Sequence, residues 1–198
     1  KKKKSEELIK QLGLEDKITL EDIPEIDLYM DQVIQLFESK FKMSKRNEDE
    51  KVLTKTMINN YAKGKLFFPI KNKKYSKRHL ILISLIYQLK GTLSISDIKT
   101  ILEPMNQKIE KEELPLNDLY ASFLHLTEEN SQKFKEDILE NISDASKEGL
   151  QLGDREEADV EYFEKFLLIA SLSHMSQLYK RAAEHLVDDF VADSKKKS

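Results

Sequence analysis

The residues best suited to chemistry lie between Lys55 and Arg78, and the chemistry they suit is binding to a polyanion. Lys55, Thr56, Asn59, Asn60 and Lys63 offer donors of the kind that a recognition helix turns toward the DNA major groove. Asn59 or Asn60 can pair with an adenine edge through two hydrogen bonds, while Met57, Ile58, Tyr61 and Leu66 share the packing and any apolar contact. Lys71, Lys73 and Lys74 on the following segment, with Lys77 and Arg78 in the first turn of the next helix, are expected along backbone phosphates. The bland alternative is that the asparagines cap or solvate a short helix and that the lysines keep a strand edge from pairing.

Charge is distributed in the same sense. The stretch 40–80 carries 13 basic against 3 acidic residues, inside a chain whose net charge is -3. A concentrated positive segment between acidic flanks is the footprint of a polyanion partner, and a solvated lysine-rich surface is the plainer reading.

Catalysis has less to build on. There is no Gly-rich phosphate loop, no GxSxG and no HExxH, and the absence of cysteine removes thiolate nucleophiles, disulfides and thiolate metal sites. His125 precedes Glu128 in the order opposite to the Glu-x-x-His of helical di-iron sites, and neither His174 nor His185 has a carboxylate three residues before it. These histidines are expected on helix surfaces or in the core, and Glu156 and Glu157 serve a helix dipole. No enzyme, catalytic residue, metal or cofactor is expected.

The elements that must position the basic segment are mostly helices. In 198 residues, 39% apolar and 35% charged, five glycines and four prolines are too few for a many-turned sandwich. The basic start 1–4 is not followed by the apolar stretch of a secretory signal. The longest apolar run, 80–89, is broken by Ser84 and Gln88 and falls short of the ~20 residues a membrane span requires. A soluble cytoplasmic protein with solvated lysine-rich ends is expected, with no membrane partner.

LEDIP followed by IDLYMDQVIQLFESKF predicts a helix capped by Asp22 or Asp27, with Pro24 in its first turn and Ile26, Met30, Val33, Ile34, Phe37 and Phe41 on its buried face. KMSKRNEDEK reads as an exposed loop. Thr54 caps a second helix, KTMINNYAK, which Gly64 ends in a left-handed cap. The segment 66–75, with β-formers at both ends, Pro69 and a polar centre containing Asn72, predicts a two-stranded hairpin wing. Ser76 caps the next helix, whose Leu80, Ile83, Ile86, Tyr87 and Leu89 face inward before Gly91. Ser94 and Asp97 approximate a capping box for a helix that Pro104 stops. After a polar connector, two long helices are expected over 117–147 and 155–193, with Gly149 and Gly153 bracketing their turn. A two-helix hairpin cannot bury two such faces alone, so it must pack on the first half or on another subunit.

TMINNYAKGKLFFP, KKYSKRHLILISLIYQLKG and LSISDIKTIL together resemble the DNA-binding domain of MerR-type regulators: a recognition helix, a wing ending in Tyr-Ser and a helix with regular apolar positions. More closely, IPEIDLYMDQV, LTKTMINNY and KKYSKRH resemble the YkrK-like family of low-GC Gram-positive bacteria, a domain of unknown function, over about 18–102. The resemblance implies a winged helix-turn-helix and a cytoplasmic bacterial transcription regulator. It carries over Thr56, Tyr75, Ser76 and the wing as backbone-positioning sites. Ile58, Asn59 and Asn60 stand where MerR-type recognition helices have Arg-Tyr-Tyr, so the contacts of that arginine and tyrosine are not carried over.

The expected fold is therefore mostly α: a MerR-like winged helix-turn-helix with a small β-hairpin wing over 18–105, followed by a long-helix hairpin over 112–193 for dimerisation or regulation. The expected function is sequence-specific binding of double-stranded DNA by a homodimeric regulator, helix 55–63 reading the groove and segment 66–78 contacting phosphates, with the C-terminal helices as the place for any effector, whose identity the sequence leaves open. The alternative is a helical protein–protein interaction module that does not bind DNA.

Overall fold

The computed structural model describes residues 2–152 and 156–196. In chain order these form α1 (Lys2–Gln11), β1 (Leu28–Tyr29), α2 (Met30–Lys40), α3 (Lys55–Lys63), β2 (Lys74–Tyr75), α4 (Lys77–Leu89), α5 (Ile95–Glu110), α6 (Leu116–Leu150) and α7 (Glu157–Lys196). The protein is mostly helical, with one two-stranded antiparallel sheet among the described residues and a long C-terminal helix pair. The basic start expected as a tail is helical from Lys2, and α1 lies beside α6. No helix among the described residues is long and apolar enough to cross a membrane.

The core is built around α4, whose residues from His79 to Ile86 are all buried. Val33, Phe37 and Phe41 from α2 and its end, Ile58 and Tyr61 from α3, and Ile98 and Leu102 from α5 close on it. Burial of this kind, at roughly 25 cal/mol for each Å² of apolar surface, is the main term holding short helices that would not persist alone.

Five expectations about elements are corrected. The helix expected to start at Asp22 or Asp27 starts after Tyr29, because Asp22 instead accepts from the Thr19 N–H at 2.9 Å and pairs with Lys40, while Leu28 and Tyr29 are extended. Ile26, expected on the buried face, is 71% exposed. Gly64 continues α3 in right-handed conformation (φ -71°), and the left-handed residue is Lys65 (φ 58°). There the Lys65 and Leu66 N–H groups donate back to Ala62 and Tyr61, satisfying the last carbonyls of the helix.

The wing is not a hairpin of two strands within 66–75. Asn72 and Lys73 take positive φ at the centre of a tight turn closed by one bridge, Lys71 opposite Lys74, and β2 finds its strand partner in β1, with Leu28 opposite Tyr75 and Tyr29 opposite Lys74. Segment 66–68 does not pair because its polar backbone groups are held by side chains: Asn106 accepts from the Phe68 N–H at 2.9 Å and donates to the Leu66 carbonyl at 2.9 Å. Pro104 lies inside α5 rather than ending it, since Asn106 and Ile109 beyond it are buried and reward continuation of the helix.

The loop 41–54 folds back on α2, where Glu38 accepts from the Val52 N–H at 2.7 Å and pairs with Lys45. Burial works against the charge on Glu38, but the Lys45 and Val52 hydrogen bonds hold its pKa below the usual carboxylate value. The α6–α7 hairpin spans roughly 50–60 Å at 1.5 Å per residue. Leu116 and Tyr120 at its root enter the core, and Ala183 and Val187 of the returning helix pack against it. Near the turn a Cβ on Gly149 would meet Glu164 at 2.8 Å, so glycine permits the close approach of α7. Gly153 and Arg155, expected at this turn and at the start of the last helix, lie outside the described residues.

Candidate nucleic-acid interface

Helix α3 forms where Thr54 accepts from the Met57 N–H at 3.2 Å, satisfying one of the free amides of its first turn. Ile58 and Tyr61 are buried, so the helix is held by one side. Lys55, Thr56, Asn59, Asn60 and Lys63 are all exposed, and at 100° per residue they share an arc of about 140° opposite that buried side. Neither asparagine side chain makes a hydrogen bond to another described residue, leaving both side-chain amides open to a partner.

The basic turn reaches the same short segment of chain. Lys55 pairs with Asp31 at 2.8 Å, and the Lys74 ammonium lies 5.0 Å from the ring centroid of Tyr29. Tyr29 and Asp31 are two residues apart at the start of α2, so the N-terminus of α3 and the 71–74 turn flank one short segment. Lys71 and Lys73 are exposed, and with Lys63 they have no carboxylate partner among the described residues. An exposed pair such as Lys55–Asp31 is worth about 0–1 kcal/mol, too little to withhold the lysine from a phosphate.

The remaining site residues do other work. Tyr75 is 2% exposed, packed edge-on against Phe67 with its hydroxyl pKa raised by burial, and so is a core residue rather than a phosphate contact. Ser76 is the N-cap of α4, its hydroxyl 2.8 Å from His79 Nδ1. Lys77 pairs with Glu25. Arg78 reaches the end of α5, 3.5 Å from the Ile109 carbonyl and 3.6 Å from Glu112.

Three positions that sequence reasoning did not single out support this surface. Tyr29 is 54% exposed and carries the aromatic face beneath Lys74. Asn106 and His79 together fix Phe68, the former through its N–H and the latter through its carbonyl at 3.0 Å. Since a carbonyl only accepts, His79 Nε2 carries a proton, while Nδ1 accepts from the Ser76 N–H at 3.1 Å. Burial pushes the His79 pKa down against the opposing pull of the Phe68 and Pro69 carbonyls and the Asp27 charge. His79 is therefore a neutral strut beneath the turn and adds no charge to it. His125, His174 and His185 are exposed on α6 and α7.

Residues 18–123 match the family described as a domain of unknown function, DUF1836. The matched region takes in α2 to α5 and the root of α6. No curated protein and no solved structure matches the chain.

Proposed function

We propose a DNA-reading function for this chain, which belongs to the DUF1836 family. The family region binds duplex DNA as a MerR-like winged helix-turn-helix, α3 entering the major groove and the 71–74 turn resting on the backbone. The carrying observation is convergence: Lys55 at the start of α3 and the cation at Lys74 flank the same Tyr29–Asp31 segment, and Asn59, Asn60 and Lys63 share the exposed arc of α3 with Lys55. Asn59 and Asn60 supply base readout, and Lys55, Lys63, Lys71, Lys73 and Lys74 supply sequence-independent attraction.

The reader acts as a homodimer through α7. Tyr162, Phe166, Tyr179 and Phe190 are 63%, 54%, 67% and 41% exposed, and Ile169 and Leu186 stand exposed among them. At roughly 200 Å² per aromatic side chain, the four offer about 450 Å², so a symmetric pair would bury about 900 Å² from aromatics alone. That approaches the ~1,200 Å² at which stable interfaces begin, before the aliphatic residues are added.

The test is fluorescence anisotropy with genomic duplex fragments across a salt series. If six or more phosphates are neutralised, affinity falls by roughly a thousandfold or more between about 50 and 200 mM salt; a flat series overturns the reading. The same exposed α7 face favours a second reading, a protein–protein module that leaves DNA untouched. Pull-down before and after nuclease digestion separates the two, because a retained partner that survives digestion belongs to the module.

A further inference from the structure

A cleft of about 430 Å³ opens where the 13–18 segment, the C-terminal turn of α4, the end of the 41–54 loop and the face of α6 meet. Its size falls within the ~300–1,000 Å³ usual for small-molecule sites. Its walls divide into two kinds. Tyr87, Phe123 and Leu124 present partly buried apolar surface, while Lys90 at the end of α4 presents an ammonium group.

Charge accounting leaves two lysines of the cleft without a carboxylate partner among the described residues, and of these Lys51 is exposed while Lys90 is partly buried. Four carboxylates line the cleft, and all are engaged: Asp16 by the Ser44 N–H at 2.7 Å, Glu50 by the Arg46 N–H at 2.7 Å, and Glu128 by Lys17 at 3.2 Å. The fourth, Glu15, pairs with Lys135 at 3.1 Å. Lys90 has no carboxylate within ion-pair distance among the described residues. Its ammonium makes only a long 3.5 Å hydrogen bond to the Val52 carbonyl and lies 4.8 Å from the Tyr87 ring centroid. Burial pulls its pKa down, partly opposed by the Glu50 charge. A half-buried cation short of an anion, in the lining of a cleft that also holds Tyr87 and Phe123, calls for a ligand with one negative head and an apolar body. The surrounding carboxylates repel a second negative charge, which disfavours phosphates and dicarboxylates.

We propose that this cleft binds a small amphipathic monocarboxylate, its head on Lys90 and its body against Tyr87, Phe123 and Leu124. The proposal is independent of DNA reading, since none of these residues lies on α3 or the 71–74 turn.

The test is titration of the full chain with 2-naphthoate and with its neutral isostere 2-naphthamide, followed by amide chemical shifts. The expected result is saturable shifts at Leu14, Gly91, Thr127 and Ser131, with the acid about tenfold tighter than the amide, as a charge-assisted hydrogen bond would give. In Lys90→Gln that preference falls to about one, while Lys51→Gln, at the exposed rim, keeps it. Gln132→Trp, exposed on α6 at the cleft, blocks both ligands, and serves also if Lys90→Gln does not fold. Equal binding of acid and amide, shifts on the Tyr162–Phe190 face instead, or shifts that persist in Gln132→Trp each overturn the proposal.

Discussion

The Tyr120 hydroxyl donates to the Ile18 carbonyl at 2.7 Å, joining residues 102 positions apart in sequence. Its proton is thereby committed, so Ser84 is the donor in the 2.8 Å bond between the two hydroxyls. Both contacts are buried, and they tie the first residue of the family region to the root of α6 across the central helix. Tyr120→Phe would strand the Ile18 carbonyl and the Ser84 hydroxyl in the core. The expected loss is about 1–3 kcal/mol of unfolding free energy, read as a lower denaturant midpoint.

Tyr61 gives the converse case. Its ring is buried on the inner side of α3, and its hydroxyl is the one buried side-chain polar atom without a partner among the described residues. Burial, reinforced by nearby Tyr87, pushes its pKa up. Tyr61→Phe removes a desolvated group and no hydrogen bond, so stability is expected to hold or to rise by up to about 1 kcal/mol. The same denaturation experiment checks it, and a loss comparable to that of Tyr120→Phe would show a partner for this hydroxyl.

His79 sets the pH response. In the folded protein it is neutral, with a pKa below its ordinary 6.5, so the unfolded chain takes up the proton first as pH falls. Its contribution is complete above about pH 6.5 and is lost progressively below it. Asp22 and Glu38 belong to a separate and lower window. Burial opposes the charge of each, but the Lys40 and Lys45 hydrogen bonds prevail and lower their pKa values, so their contribution is lost only on further acidification. His79→Asn is expected to flatten the stability profile between about pH 7 and 5 while leaving the more acidic limb in place. An unchanged slope between those limits would count against the buried neutral ring.

Periodicity made the helices legible. Thr54 and the Ser94–Asp97 pair cap α3 and α5 as their types suggest, and α6 runs within three residues of its expected ends. What sequence could not show were contacts between distant segments. β2 pairs with β1 from 45 residues upstream, and 66–68 is held by Asn106 from α5, so a local hairpin was the natural but mistaken choice. A signal for Asn106 existed: it continues the stripe Ile98, Leu102 and Ile109, where a polar residue on a buried face implies a specific partner. The basic segment was legible as charge but not as geometry. Nothing in KKYSKRH distinguishes a buried Tyr75 and a paired Lys77 from the exposed Lys73 two residues before Tyr75.

Lys65 offers a gain rather than a loss. It is exposed, and its φ of 58° places a branched-from-backbone side chain in a conformation that costs about 1 kcal/mol for L-residues other than glycine. Lys65→Gly keeps the hydrogen bonds that end α3, since both donors there are backbone groups. The expected outcome is stabilisation by about 0.5–1 kcal/mol, offset in part by the greater freedom of the unfolded chain. Thermal unfolding of the two proteins side by side checks the sign.

The two classes of DNA contact predict different losses. Lys73→Glu with Lys74→Glu reverses two charges on the basic turn without touching the core, so binding should weaken by a similar factor on every duplex and the salt dependence should become shallower. Asn60→Ala, exposed on the outer arc of α3, removes donors and acceptors that read a base edge. Its cost of about 1–3 kcal/mol should fall on preferred sites alone and leave binding to unrelated sequence nearly unchanged. Measured by competition between a footprinted site and random duplex, the turn variant should preserve the specificity ratio and the asparagine variant should lower it. If both lower the ratio equally, α3 is not the element that reads sequence.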